Sequence, residues 1–484
     1  MSTRDSAASF DSSYNRWKAF LPIALISIIT TLDSSVVNVS LPVISQQLKA
    51  GIGVVQWVVL SYLLAVTSLL MIFGRLGDLV GRRRIYQVGI VLFTFSSVLC
   101  GFSQNVTMLI FGRALQGTGA ALLVAVGPAL IGEIFPPQQR GKALGFLGTT
   151  VSVGLSVGPA VGGLITSWLG WRYIFFLNLP LGLLAVFLIR RHLRTDGNPL
   201  MTHFDFVGAA TMAGGLVSLM LALSRGSDWG WSNTVILNLL FVALIFFTLF
   251  FISQHRSAHP ILDLKLFKNP IFRSAVTSGF LAFAALFSQT FLLPFYLIQL
   301  RGFPPAHAGL FLMSVPSVMA FVAPSSGSFS DRVGTRGLCV TGLFLLGLGF
   351  VLLSTLTAST PQLVIVSFLL VIGLGVGMFN PPNNADLLSS VPRERLGNAS
   401  GMMGLTRTLG MVTGVALSGA IFLGVRKFHL TTADSGGAAA AEMTAAFLSG
   451  LHWAFRAAAL LAWMGTIMVW GRGKFIRREL RTQD

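Results

Sequence analysis

Asp33 stands deep in the apolar run LPIALISIITTLDSSVVNVSLP (21–42) and is the clearest acid inside any such run of this chain. A carboxylate held in hydrocarbon costs several kcal/mol, so a span that carries one is a candidate for function. The chemistry open to it there is binding and releasing a proton, or balancing a charge. A cation occupies a comparable place: Arg113, in FGRALQGTGAALL (111–123). Counted along helices at about 1.5 Å per residue, both lie roughly 10–12 Å below the same surface. On neighbouring helices the two could pair directly or through water. The plainer alternatives are a static ion pair, or an arginine bonded to backbone carbonyls.

The elements that must position this pair are membrane helices. The chain has 484 residues, 54% of them hydrophobic and only 10% charged, where soluble domains carry about 25% charged residues. Fourteen apolar runs near the length of a bilayer span recur, from 19–40 to 453–471. Backbone groups in hydrocarbon must be satisfied internally, and the runs are too long for barrel strands, so helices are expected. The net charge of +18 invites a nucleic-acid reading, but its distribution argues otherwise. Of 34 Lys and Arg, 25 fall in the tails and loops of one side, 6 on the other, and Arg113, Arg407 and Arg456 inside runs. That asymmetry predicts both termini in the cytoplasm and a lipid bilayer, not nucleic acid, as the partner surface. The polar first 16 residues read as a disordered tail with no cleavable signal, the first span itself serving for insertion. Cys100 and Cys339 form no disulfide framework or metal spacing, and no HExxH, GxSxG or phosphate-loop pattern occurs. An enzyme is not expected, and neither is any cofactor.

The chain also repeats itself. GRLGDLVGRR (74–83) recurs as GSFSDRVGTR (327–336), an offset of 253, and Gly117, Gly119, Pro136 and Gly141 recur at 373, 375, 392 and 397, an offset of 256. Two parallel halves of six helices are therefore predicted, with any site between them near the midplane. Residues 1–18 read as a cytoplasmic tail, 19–190 as the first bundle, 191–272 as a linker with two inserted helices, 273–471 as the second bundle and 472–484 as a basic tail. Residues 425–450 read as a Gly/Ala-rich loop on the far side. In the 74–84 stretch, Gly74 and Gly81 suit a tight loop, while Asp78, Arg82 and Arg83 could cap helix ends or pair with one another. Asp331 and Arg336 occupy the same places in the second copy, which suggests a latch at helix ends. In GLSVGPAVGG (154–163), Gly154, Gly158 and Gly162 share one helix face, Gly163 follows, and Pro159 removes a backbone donor. The second copy, GMVTGVALSG (410–419), replaces the proline with Val415, and Leu369 stands where the first half has Arg113.

These stretches together resemble the major facilitator superfamily over essentially the whole chain. LDSSVVNVSLP (32–42), the 74–84 loop, RALQGTGA (113–120) and GLSVGPAVGG are similar to its fourteen-helix drug:proton antiporter branch. The resemblance implies an all-α membrane fold of two six-helix bundles plus two inserted helices, and proton-coupled export of lipophilic drugs, with the proton as coupling ion. It implies a protonation site at Asp33, coupling through Arg113, a cytoplasmic gate at Asp78, Arg82 and Arg83, and an antiporter element at Gly158 and Pro159. A monomer in the inner membrane of a bacterium is expected. The tenth span, 306–327, lacks the acid that some members of the branch carry there. One deep carboxylate balances about one positive charge, so neutral or monocationic lipophiles are expected over dications. A dedicated exporter of one metabolite would share the same motifs.

Overall fold

The computed structural model describes residues 16–193, 205–257, 264–392, 396–432 and 440–481. The first half comprises α1 (Arg16–Gln47), α2 (Ile52–Val80), α3 (Arg82–Gly101), α4 (Val106–Ile134) and α5 (Pro137–Trp168). Its sixth span is broken into α6 (Arg172–Phe176) and α7 (Asn178–His192). The inserted pair is α8 (Phe206–Trp229) and α9 (Thr234–Arg256). The second half comprises α10 (Pro270–Phe295), α11 (Pro305–Val333), α12 (Thr335–Leu353), α13 (Gln362–Ser389), α14 (Leu396–Thr432) and α15 (Ala440–Arg481). Fourteen of these stretches are long and apolar enough to cross a membrane, with α6 and α7 counted together.

Local chemistry sets the helix starts. Asn105, Asp205, Asn233 and Asn269 each accept a backbone N–H of the first turn of α4, α8, α9 and α10. Proline opens α5, α10 and α11, where its missing donor costs nothing. The expected 74–84 loop is mostly helix: α2 runs through Val80, and Gly81 alone separates it from α3. Gly81 has φ +110° and its counterpart Gly334 has φ +85°, a backbone conformation that side-chain-bearing residues rarely adopt. The expected 425–450 loop is also largely helical, because α14 continues to Thr432 and α15 begins at Ala440. Residues 433–439, like 1–15 of the N-terminal tail, 194–204 and 258–263 of the linker and 482–484 of the C-terminal tail, lie outside the described residues.

The repeat is visible as equivalent packing. α1 packs on α5, and α2 and α3 on α4; correspondingly α10 packs on α14, and α11 and α12 on α13. A Cβ at Gly117 would meet Tyr62 of α2 as one at Gly373 would meet Val315 of α11, and Gly119 faces Phe93 as Gly375 faces Leu346. α8 packs against both α2 and α14, and Asp205 ties its start to the end of α9 through Ser253 and Gln254.

Call the side where α1 begins and α15 ends the terminal face, and the other the far face. The halves meet tightly at the far face. A Cβ at Gly163 would strike the Pro305 carbonyl, one at Gly309 would strike that of Pro159, and Ala306 donates its N–H to Ser167 at 2.9 Å. Among the described residues, α4 and α13 do not pack closely on each other. Along α1 an accessible strip runs through Ala24, Ile28, Thr31 and Ser34 and stops, since Ser35 to Pro42 are all buried. Along α10 a strip of Thr277, Phe280, Phe283, Phe287 and Thr290 stops in the same way, at the buried stretch Phe291 to Leu297. A lipid-facing strip would run the full length of a span. These end midway, so they line a cleft between the halves that opens on the terminal face.

Candidate functional site

Asp33 immediately precedes Ser34, the last accessible residue of the α1 strip, at the blind end of that cleft. Its Oδ2 accepts Arg113 Nη1 at 2.6 Å, and both side chains are about 1% exposed. Its Oδ1 accepts Gln116 Nε2 at 2.9 Å and Asn178 Nδ2 at 2.8 Å. Arg113 also donates to Gln116 Oε1 at 2.7 Å and to the Val58 carbonyl at 3.2 Å, and its guanidinium lies 4.1 Å from the centre of the Tyr62 ring. Asn178 donates as well to Ser97, which in turn donates to the Phe175 carbonyl. All three partners of Asp33 are donors. Three donors complement the acceptor oxygens of a carboxylate.

Five spans supply this cluster. α1 brings Asp33, α2 Tyr62, α3 Ser97, α4 Arg113 and Gln116, and α7 begins at Asn178, just after the one-residue break at Leu177. The expected pair is thus direct. Gln116, Asn178, Tyr62 and Ser97 were not anticipated; the available signals were Gln116 one turn from Arg113 and a polar residue at a span break. α1 is also longer than the apolar run 19–40. It continues to Gln47, 14 residues beyond Asp33, or roughly 21 Å. Polar residues sustain that extension, with Ser40 bonded to Thr166 and Ser45 to the Ala50 carbonyl.

The second half carries none of this. Facing glycines align Arg113 with Leu369, Gln116 with Ile372, Tyr62 with Val315 and Ser97 with Phe350. In α10, Phe280 and Ala284 face Gly410 and Gly414 as Ile28 and Leu32 face Gly154 and Gly158, which sets Ala285 opposite Asp33. The same scaffold packs with apolar residues at five equivalent places, so the polar cluster is not a requirement of the fold.

At the terminal face, Arg82 bonds Asp78 at 2.8 and 3.0 Å, Glu133 at 2.7 Å and the Ala129 carbonyl at 3.3 Å. It ties the α2–α3 corner to the end of α4, and Arg83 follows in the first turn of α3. Gly74 is not needed for space, since a Cβ there would sit 3.8 Å from Ala125; Gly77 makes the close approach, at 2.9 Å from Val126. The second copy departs from expectation. Asp331 is exposed and makes no ion pair among the described residues. Arg336 instead donates to the Trp470 carbonyl at 2.6 Å and lies over that ring. Among the described residues of this half, an ion pair joins Asp386 of α13 to Arg472 of α15, with Thr335 of α12 bonded to both. Arg472 was expected in a basic tail; it is 7% exposed.

On α5, Gly154, Gly158 and Gly162 all face α1, at Thr31, Ser35 and Val36, and Ser35 donates to the Gly154 carbonyl. Gly163 and the Pro159 carbonyl face α11 across the boundary between the halves. One motif therefore packs a helix pair within the first half and closes the far face.

Comparison with known proteins agrees with this architecture. The family model of the Major Facilitator Superfamily matches residues 23–203 and 205–415. The riboflavin transporter RibZ of Clostridioides difficile is 33% identical over 411 residues, 84% of this chain and 88% of that protein. The multidrug transporter MdtP of Bacillus subtilis is 33% identical over 404 residues, 83% of this chain and 74% of that one. Among solved structures, a bacterial homolog to the human lysosomal transporter Spinster superposes with a TM-score of 0.70 at 15% identity, covering 96% of this chain and 98% of that one. The fourteen spans, the two equivalent halves and these matches agree: the chain is a multi-pass membrane transporter, not an enzyme, and belongs to the Major Facilitator Superfamily, in its multidrug efflux branch.

Proposed function

We propose that the chain is a proton-coupled antiporter that exports lipophilic small molecules by alternating access between its two halves. The observation that carries this reading is the Asp33 cluster: a carboxylate at the blind end of the cleft, held by three donors including Arg113, in a half whose twin is apolar at the five equivalent places aligned above. When the far face opens, Asp33 meets the opposite solution and takes up a proton. That loosens its hold on Arg113 and links the charge state of the cleft to the orientation of the halves. The 25-to-6 distribution of basic residues supports a cytoplasmic terminal face in the inner membrane of a bacterium. The protein acts as a monomer, with the proton as coupling ion and no other cofactor.

The expected preference for neutral or monocationic lipophiles over dications rests on one deep carboxylate. The Asp33 oxygens already accept Arg113, Gln116 and Asn178, so a cation would compete with these donors for the same carboxylate. The riboflavin transporter among the relatives favours, as a second reading, a transporter dedicated to one metabolite. The test of coupling is Asp33→Asn in liposomes with an imposed pH gradient. Gradient-driven transport should vanish while the protein stays inserted and monodisperse; transport at the parent rate sinks the reading.

A further inference from the structure

Arg407 is a cation in the spans that the mechanism above does not use. It lies on α14, 11 residues from the start of that helix, or roughly 16 Å along it, and inside the candidate membrane span Gly401–Thr431. Among the described residues it makes no hydrogen bond and no ion pair, only a contact with Phe283, whose ring centre is 5.7 Å from the guanidinium carbon. An arginine with no partner at this depth is costly and marks a functional place. The acids that could have neutralised it are already engaged, Asp33 by Arg113 and Asp386 by Arg472.

Its direction follows from its neighbours on the helix. Gly404, three residues before it, faces Leu70 of α2, and Gly410, three residues after it, faces Phe280 and Phe283 of α10. Arg407 stands between these two faces, on the strip of α14 where the halves meet. Phe283 belongs to the accessible strip of α10 that lines the cleft, and Arg407 and Met403 are themselves partly accessible. The equivalent of Arg407 in the first half is Val151, three residues before Gly154, so helix packing does not demand the charge.

We propose that Arg407 is the anchor for the acidic group of the substrate, and that the cleft carries lipophilic organic anions such as carboxylates. This deepens the reading of the chain as an exporter and rests on it. A guanidinium presents five donors in a fork that matches a carboxylate, and the pairing strengthens where water is scarce. Phe283, Phe287 and Met403 supply adaptable apolar surface for the rest of the molecule. Arg273, exposed at the terminal-face end of the α10 strip, adds positive potential at the mouth.

The experiment is equilibrium binding to purified full-length protein in nanodiscs of zwitterionic lipid, with empty nanodiscs subtracted. The probes are pyrenebutyrate, ionised at neutral pH, and its neutral amide. The parent protein should bind the carboxylate at least roughly tenfold tighter than the amide. Arg407→Gln should abolish that preference without weakening amide binding, and Arg407→Lys should restore most of it. Arg456→Gln, which removes an exposed cation from α15, should leave the preference intact. Equal binding of both probes by the parent, a preference that survives in Arg407→Gln, or no saturable carboxylate binding overturns the proposal. No proton gradient enters this measurement, so an uncoupled exporter would still show the preference, and a coupled exporter of neutral compounds would not.

Discussion

The residue scale divides cleanly by charge. Asp33 and Arg113 were legible in the sequence because an ionisable side chain within an apolar run is costly enough to be conspicuous. Gln116, Asn178, Tyr62 and Ser97 were not, because a neutral polar side chain costs far less in a span and only proximity shows which ones converge. Gln116 links the pair from both sides, accepting from Arg113 and donating to Asp33. Replacing it with Leu removes a donor and an acceptor that are both buried, at a cost of about 1–3 kcal/mol for each group left unmatched. Gln116→Leu should therefore lower gradient-driven transport at least roughly tenfold while the protein remains folded. Initial rates in liposomes measure it, and a rate equal to the parent would reduce Gln116 to a bystander.

At the scale of elements, the apolar runs located every span but misjudged where several end. α1 and α15 run beyond their apolar cores because their polar ends pack on protein; Ser40 meets Thr166, and Arg472 meets Asp386. No hydropathy pattern carries that information. The repeat did show where the α2–α3 and α11–α12 corners lie, but not that Arg472 of the last span would supply the ion pair of the second. Breaking a buried pair by removing one partner leaves an uncompensated charge, worth about 3–5 kcal/mol. Arg472→Gln alone should lower the thermal unfolding midpoint in detergent, and adding Asp386→Asn should recover much of the loss; an additive further drop would contradict a paired role. On α5, Gly163→Ala should act differently from a change at Gly158. The new methyl group at Gly163 would press on backbone of the other half, with the Pro305 carbonyl carbon at 3.0 Å and Ala306 Cα at 3.1 Å. It should prise the far face apart without disturbing the first half, so a cysteine at Ala308, buried in the first turn of α11 beside that contact, should react several-fold faster with an impermeant thiol reagent. An unchanged labelling rate would mean that the α5–α11 contact does not hold the far face shut.

For the whole molecule, the two-half plan was readable from offsets of 253 and 256, because glycines that seat one helix on another recur wherever the packing recurs. The cleft was not readable, since it depends on which contacts between the halves are made at once. Its orientation remains a matter of charge. With Cys100 and Cys339 replaced, a cysteine at Ser359, in the exposed α12–α13 turn of the far face, should label from outside intact cells, and one at Gln138, at the start of α5, only after permeabilisation. The reverse pattern would invert the positive-inside reading. The same background tests alternating access. Ser167 and Ala306 meet across the closed far face, with 2.9 Å between hydroxyl and backbone nitrogen. A short bifunctional thiol reagent joining cysteines at these two positions should hold that face closed and leave the cleft open only to the terminal side. Substrate binding from that side should persist, and transport should stop, because the Asp33 cluster could no longer reach the far solution. Each single-cysteine variant treated with the same reagent should keep transporting. A cross-linked protein that still transports at the parent rate would show that the halves do not rock about this contact, and that the route past Asp33 opens elsewhere.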